Sequence, residues 1–448
     1  MTFTFERGIH PNEQKEFTEN IPIQTLLPGT KAEMVYPLSQ HLGAPCTPIV
    51  EVGQQVLLGE KIADSDAFIC APIHTSVSGT VKEIKPRITV SGTVVNSIII
   101  ENDGKLTEHE SIKALNFESM SKEEILKEIR EAGIVGLGGA GFPTHAKLSP
   151  PPGKNIDIIL INGCECEPYL TTDNRVMIEE AERLIIGAQI ILKVVPTARA
   201  VIAIEDNKPE AIEAIKKACS GVAKLEVAVV STKYPQGSEK QLISAITKRE
   251  VPSGGLPSDV GCIVQNIDTV IAIHRKFLRG RPLMRKVVTI TGGAVRNPGN
   301  YKIRLGTKLS DIVEMTGGFA HSPAKVVVGG PMMGVAIFDI DVPIVKTTSG
   351  ILFLTEDEAR IPPEESCIRC GQCVEHCPAG LIPIELNTDV LRENSDAFVK
   401  HSGLDCIECG SCSYICPAKR RLAQSIRTTR RVELAKLRKK QTKDGSQK

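Results

Sequence analysis

Residues 367–378 read CIRCGQCVEHCP and residues 406–417 read CIECGSCSYICP, two copies of C-x2-C-x2-C-x3-C-P that hold eight of the chain's 14 Cys. Three Cys spaced by two residues can wrap one iron–sulfur cubane in a tight loop. The fourth, just before Pro, points away and completes the cluster of the other run. The spacing therefore assigns Cys367, Cys370, Cys373 and Cys416 to one [4Fe–4S] cluster, and Cys406, Cys409, Cys412 and Cys377 to a second. Zinc sites built from C-x2-C pairs would leave the third Cys and the Cys-Pro of each run unexplained. Disulfides do not suit a chain whose first residues, MTFTFERGIH, carry no secretory signal. Unpaired, cluster-binding thiols favour a reducing cytoplasm.

A length of 448 residues allows about three domains, each with its own core. The formal charge of +1 hides an asymmetry: residues 419–448 hold 12 Lys/Arg against two acids, and the preceding 418 residues hold 42 against 51. Such a tail suits anionic lipid or an acidic partner, or is simply a solvated helix, and nothing in it points to nucleic acid. No apolar run approaches the roughly 18–20 residues needed to span a bilayer.

The pattern predicts a multidomain chain of α/β and α+β blocks. Residues 1–115 read as short strands punctuated by Gly53, Gly59 and Gly79. They resemble the β barrel-sandwich of biotinyl and lipoyl carriers, but the stretch from Ala63 to Val81 has no Lys to modify, so the block reads as a scaffold. Residues 120–282 alternate helices and apolar strands, which predicts an α/β layer with a largely parallel sheet. SKEEILKEIREAG is its first helix, with Ser121 as N-cap. Residues 284–345 look like a small β-grasp domain. Residues 355–425 form a helical two-cluster ferredoxin-like block, and residues 426–448 a basic tail.

Two loops of the α/β block carry ligand-binding character. In GLGGAGFPTHAKL (136–148), Gly138, Gly139 and Gly141 let backbone N–H groups approach a phosphate, and Lys147 adds a charge. The loop departs from the usual dinucleotide fingerprint, and a purely structural turn is the competing reading. INGCECEPYLTTD (161–173) ends an apolar strand, where open α/β sheets bind ligands. Glu165 and Glu167 could also be solvated loop acids.

GGAGFPT with its following Lys, then N-x-x-E-x-E-P, resembles the NADH-oxidising flavoprotein subunit of respiratory complex I. The order of all the blocks, from GIHP through the Cys runs, resembles the RnfC family of the Rnf complexes, membrane-bound ferredoxin:NAD+ oxidoreductases that move Na+ or H+. The resemblance implies an FMN whose phosphate region lies at Gly138, Gly139, Gly141 and Lys147, with Phe142 facing the adenine of NADH. It places Asn162, Glu165 and Glu167 along the flavin and nicotinamide side, and Gly237, Glu239 and Asn266 in later ligand loops. Leu137 and Cys164 depart from complex I, which has Arg and an acid there. Cys164 and Cys166 read as small buried thiols.

These parts suit one task. NAD(H) exchanges a hydride, clusters carry single electrons, and a flavin handles both. The family resemblance implies electrons arriving from ferredoxin through membrane subunits of the same complex, with this chain peripheral on the cytoplasmic face. Two rivals are a soluble flavin and iron–sulfur NADH-dependent reductase, such as a microcompartment cobalamin reductase, and an electron-carrying scaffold without nucleotide binding. The block of about 110 residues before the Gly-rich loop argues against the first, and the intact loop against the second.

Overall fold

The computed structural model describes residues 2–445, with side chains as far as residue 439. The barrel-sandwich packs two antiparallel sheets. One orders Glu33–Pro37, Val94–Asn102, Gly79–Ile88 and Gln55–Val56, and the other Thr47–Pro48, Lys61–Asp64 and Ile73–His74. Met34, Tyr36, Ile62, Ile73, Val81, Ile98 and Ile100 fill the space between them. β-Branched residues dominate this core because they pack well on a pleated surface.

The first 20 residues do not join the barrel, although they fall within the block expected at 1–115. Phe3 bridges Val230 and Ile9 bridges Tyr234, so this arm lies along the α/β domain instead. Beyond it, Gln24–Thr25 pairs in parallel with Gly299–Arg304 of the third block. Unpaired backbone on a sheet edge recruits short extended segments that are too brief to register as strands by pattern.

The α/β domain is a four-stranded parallel sheet in the order Leu225–Val230, Arg199–Glu205, Ile158–Gly163 and Cys262–Asn266. Its first helix, Lys122–Glu131, starts with a reciprocal capping box between Ser121 and Glu124. Ala181–Val194 crosses Ile267–Arg279 closely: a Cβ on Gly187 would lie 2.3 Å from the Val270 carbonyl. The small residue there lets the two backbones approach.

The third block is a mixed sheet ordered Gln24–Thr25, Gly299–Arg304, Arg285–Thr291, Gly350–Leu354, Lys325–Val328 and Val335–Ile337, with the helix Leu309–Met315. Its buried strand Gly350–Leu354 lies beyond the expected boundary at 345. The run GILFL has no period, so pattern alone does not distinguish a buried strand from the start of the next helix.

In the last block, helical turns Gln372–Glu375 and Ser411–Tyr414 lie within the Cys runs, carrying Cys373 and Cys412, and Pro383–Leu391 and Ser395–Lys400 connect the runs. The helix Leu422–Gly445 begins inside the block rather than after it, because Leu422 and Ile426 are buried. The basic tail expected at 426–448 is thus mostly the continuation of this helix, and residues 446–448 lie outside the described residues. Among the described residues, no helix is long and apolar enough to cross a membrane.

Candidate functional site

The Gly-rich loop closes on itself between residues 134 and 144. Gly136 N–H donates to the Phe142 carbonyl at 2.9 Å, and Thr144 N–H to the Ile134 carbonyl at 3.0 Å. Its base is fixed from two sides: Leu137 N–H donates to Thr269 Oγ1 at 2.9 Å, and Lys286 donates to the Leu137 carbonyl. Leu137 itself is buried in the core. Gly141 has φ +70°, a left-handed conformation that favours Gly. A Cβ on Gly138 would lie 2.9 Å from the Asn266 side chain, whereas Gly139 faces open space. Gly138 and Gly139 are exposed and Phe142 is half-buried, so the loop offers bare backbone and one ring to a ligand.

Around the loop, the ends of two neighbouring strands converge. Asn162 and Asn266 are register partners in the parallel sheet. Asn162 Nδ2 donates to the Gly237 carbonyl at 2.8 Å, which draws the 231–238 loop over the strand end. Asn266 caps the helix Ile267–Arg279 through Asp268 N–H at 2.9 Å and donates to Asp173 at 2.7 Å. Burial pushes Asp173 up to about 8, with Glu165 and Asp268 adding to the effect. Lys147 reaches Glu239 and the Val264 carbonyl, both at 2.8 Å. The structure therefore gathers Gly138, Lys147, Asn162, Gly237, Glu239 and Asn266 at the carboxyl ends of two neighbouring strands.

Glu165 and Glu167 have backbone partners as well. Glu165 accepts from Thr172 Oγ1, Asp173 N–H and Asn174 N–H, and so caps the helix Thr172–Glu179. Glu167 accepts from Met332 N–H at 3.1 Å and Met333 N–H at 2.9 Å, holding a turn of the third block. Burial pushes Glu167 up to about 7, and those two N–H groups oppose the shift.

Two residues outside the sequence expectation organise this region. Lys15, only 6% exposed, donates to the carbonyls of Glu165, Glu167 and Leu170, so the N-terminal arm pins the acidic loop. Burial lowers its pKa. Tyr234 donates to the Cys409 carbonyl at 2.7 Å and sits 3.4 Å from Glu167. Tyr234 stands three residues before Gly237, a proximity that was available as a signal; Lys15 left none.

The Cys runs fold back on each other. Cys367, Cys370, Cys373 and Cys416 line one cavity of about 150 Å³ together with Ile384, Arg420 and Leu422. Cys406, Cys409, Cys412 and Cys377 form the second group, close enough that ionising one thiol would disfavour ionising the others. Burial pushes Cys406 up to about 11, so without a metal core this thiol stays protonated. The two runs repeat one backbone geometry. Arg369 and Glu408 have φ +56° and +57°, and Gly371 and Gly410 have φ +79° and +80°. Arg369 N–H approaches Cys367 Sγ at 3.4 Å, and Glu408 N–H approaches Cys406 Sγ at the same distance. Convergent sulfurs with N–H donors turned toward them fit an iron–sulfur core, whose potential such bonds tune.

Glu408 also gathers charge. Arg427 at 2.8 Å, Arg430 at 2.9 Å and Arg431 at 3.4 Å, all from the helix Leu422–Gly445, pair with its carboxylate.

Four family descriptions tile the chain: an RnfC barrel sandwich hybrid domain at 3–105, a Nuo51 FMN-binding domain at 129–275, an SLBB domain at 287–336 and a 4Fe-4S dicluster domain at 366–422. The RnfC-type component of the Na+-translocating ferredoxin:NAD+ oxidoreductase complex of Acetobacterium woodii is 47% identical over 97% of this chain and 98% of its own length. The corresponding component of the proton-translocating complex of Clostridium ljungdahlii is 48% identical, over 95% and 93%. Among solved structures, an NAD+-reducing [NiFe]-hydrogenase chain aligns with 71% of this chain and 62% of its own, at a TM-score of 0.49 and 18% identity. With a Gly-rich FMN-type loop, two paired Cys runs and two relatives matched over 98% and 93% of their length, the chain belongs to the RnfC family of the ion-translocating ferredoxin:NAD+ oxidoreductase complexes.

Proposed function

We propose that this protein passes electrons between NAD(H) and its complex through FMN held at the Gly-rich loop and two [4Fe–4S] clusters held by the paired Cys groups. One observation carries the reading. The Tyr234 hydroxyl bonds the Cys409 carbonyl, joining the loop of Gly237 and Glu239 to the second Cys run. Gly138 and Asn162 would hold the flavin on the side of the chain that Tyr234 ties to the group of Cys406, Cys409, Cys412 and Cys377. When bound, the flavin supplies the exchange between hydride pairs and single electrons.

The chain's own residues do the placing. Gly138 and Gly139 allow backbone N–H groups close to phosphate, and Lys147, held by Glu239, would add its charge there. Phe142 offers a ring face for the adenine. Asn162 and Asn266 keep their amides at the strand ends through the Gly237 and Asp173 contacts. Glu165 and Glu167, by capping a helix and gripping the Met332–Met333 turn, fix the wall on the nicotinamide side.

The cluster of Cys367, Cys370, Cys373 and Cys416 faces the other proteins of the complex, since Cys367 and Cys370 are exposed. With both clusters in place, the exposed Cys367 and Cys370 would put the first at the entry point for single electrons, and the second group would stand between it and the flavin that exchanges them for the hydride of NAD(H). Membrane subunits hold the chain on the cytoplasmic face, and ion movement occurs in them.

Anaerobically purified protein loaded with FMN is expected to reduce ferricyanide with NADH in the absence of the rest of the complex. Protein with full flavin and iron that neither oxidises NADH nor binds nucleotide would return the chain to an electron-carrying scaffold.

A further inference from the structure

A second sulfur-rich site lies in the barrel-sandwich, away from the Cys runs. One ring nitrogen of His41 and the Sγ atoms of Cys46 and Cys70 all lie within 4.8 Å of one another. The two sulfurs are 3.5 Å apart, well beyond the roughly 2.05 Å of a disulfide. Two thiolates on one tetrahedral zinc, with Zn–S of about 2.3 Å, stand about 3.8 Å apart. Both Cys are buried, at 4% and 0% exposure.

His41 Nδ1 is buried and has no partner. Its Nε2 lies 3.1 Å from the Ala44 carbonyl and 3.2 Å from Ala71 N–H. One nitrogen cannot donate and accept at once. If Nε2–H donates to Ala44, the Nδ1 lone pair is left for a metal, the arrangement that metal-bound His residues use.

We propose that His41, Cys46 and Cys70 form a zinc site with three protein ligands and water in the fourth position. Two thiolates and a neutral imidazole are a soft donor set that suits Zn2+. Binding releases the two thiol protons: Zn2+ and two Cys–SH give a Zn(Cys)2(His) centre of zero net charge and two H+. That neutrality is compatible with the buried Lys346 nearby, whose ammonium is already held by the Pro72 and Gly133 carbonyls at 2.6 and 2.8 Å.

The location gives the metal a task. Leu42 N–H donates to the Gly141 carbonyl at 3.2 Å, and a Cβ on Gly141 would lie 3.3 Å from His41 Cα. The zinc fastens the segment that backs the Gly-rich loop. This role rests on the flavin reading above, whereas the metal site itself does not.

Elemental analysis of the anaerobically purified full chain tests the site, with added ZnCl2 after chelator treatment as the probe. About one zinc per chain is expected beside about eight iron, with two sulfurs near 2.3 Å and one nitrogen near 2.0 Å by zinc-edge X-ray absorption. The double variant Cys46→Ser/Cys70→Ser should hold less than about a tenth of that zinc at unchanged iron. Should that variant fold poorly, His41→Asn provides a second reading, with zinc affinity lowered about 10- to 100-fold in competition with a chromophoric chelator. Zinc lost together with normal flavin retention would uphold the metal site and remove only its link to the Gly-rich loop. Wild-type protein that takes up no zinc, a double variant that binds it equally, or peptide mapping that finds a Cys46–Cys70 disulfide overturns the proposal.

Discussion

The two Cys runs match in spacing, in left-handed residues and in their N–H···S contacts, yet they occupy different surroundings. Around the first, Cys367 and Cys370 are exposed and Arg420 lines the cavity. Around the second, Cys409 and the crossing Cys377 of the first run are buried, Tyr234 holds the Cys409 carbonyl, and three arginines surround Glu408. The contrast separates two kinds of information. The C-x2-C-x2-C-x3-C-P spacing specifies where four sulfurs converge. Exposure, charge and hydrogen bonds then set a cluster's potential and accessibility, and these come from distant segments. In the function proposed above, the exposed group is the port for partners and the buried group the relay toward the flavin.

Cys377→Ser gives the largest expected effect. Iron should fall from about eight to about four per chain. NADH should then fail to reduce the remaining first-run cluster, although dithionite still does, and NADH–ferricyanide turnover should persist. EPR showing the first-run signal lost instead would break the crossed ligand sets. Brief exposure to air offers the next test: the exposed first-run cluster should decay ahead of the second, and simultaneous decay in time-resolved EPR would erase the distinction between port and relay.

Lys147→Ala should weaken FMN binding by about 10- to 100-fold, the value of a charge-assisted contact to phosphate. Glu239→Gln should act in the opposite direction and by less, since it frees the Lys147 ammonium from its ion pair. Iron content should stay constant in both, and a flavin titration against iron assay checks this. Tyr234→Phe gives the smallest change. It removes one hydrogen bond worth about 1 kcal/mol and should shift the midpoint potential of the second-run cluster while leaving the first unmoved. A shift in both, or in neither, would deny Tyr234 its place between flavin loop and cluster.

Much of this architecture was legible in the chain. The Ser121 cap, the apolar strands of the parallel sheet and the Cys runs are local patterns whose physics operates within a few residues. What escaped is long-range. Gly350–Leu354 joins its sheet as an aperiodic apolar run, and Gln24–Thr25 is only two residues of edge pairing. Glu165 and Glu167 were legible as acids at a strand end, but their partners are backbone N–H groups, one set nearby and one set more than 160 residues away. Tail arginines read as a solvated charge run or one facing lipid or an acidic partner. Arg427, Arg430 and Arg431 instead meet Glu408, because the helix that carries them packs on the cluster block.

The N-terminal arm has a consequence for how the protein is made. Lys15 leaves the ribosome early, but its three acceptor carbonyls belong to residues 165–170, and the strand that Phe3 bridges ends at Val230. Domains usually fold in order of synthesis, and contacts of large sequence separation form late. The arm must therefore wait, with its apolar Phe3, Phe5 and Ile9 unsheltered, while more than 200 further residues are synthesised. Closure of the acidic loop is then a finishing step, reached only when the α/β sheet already exists to receive the arm.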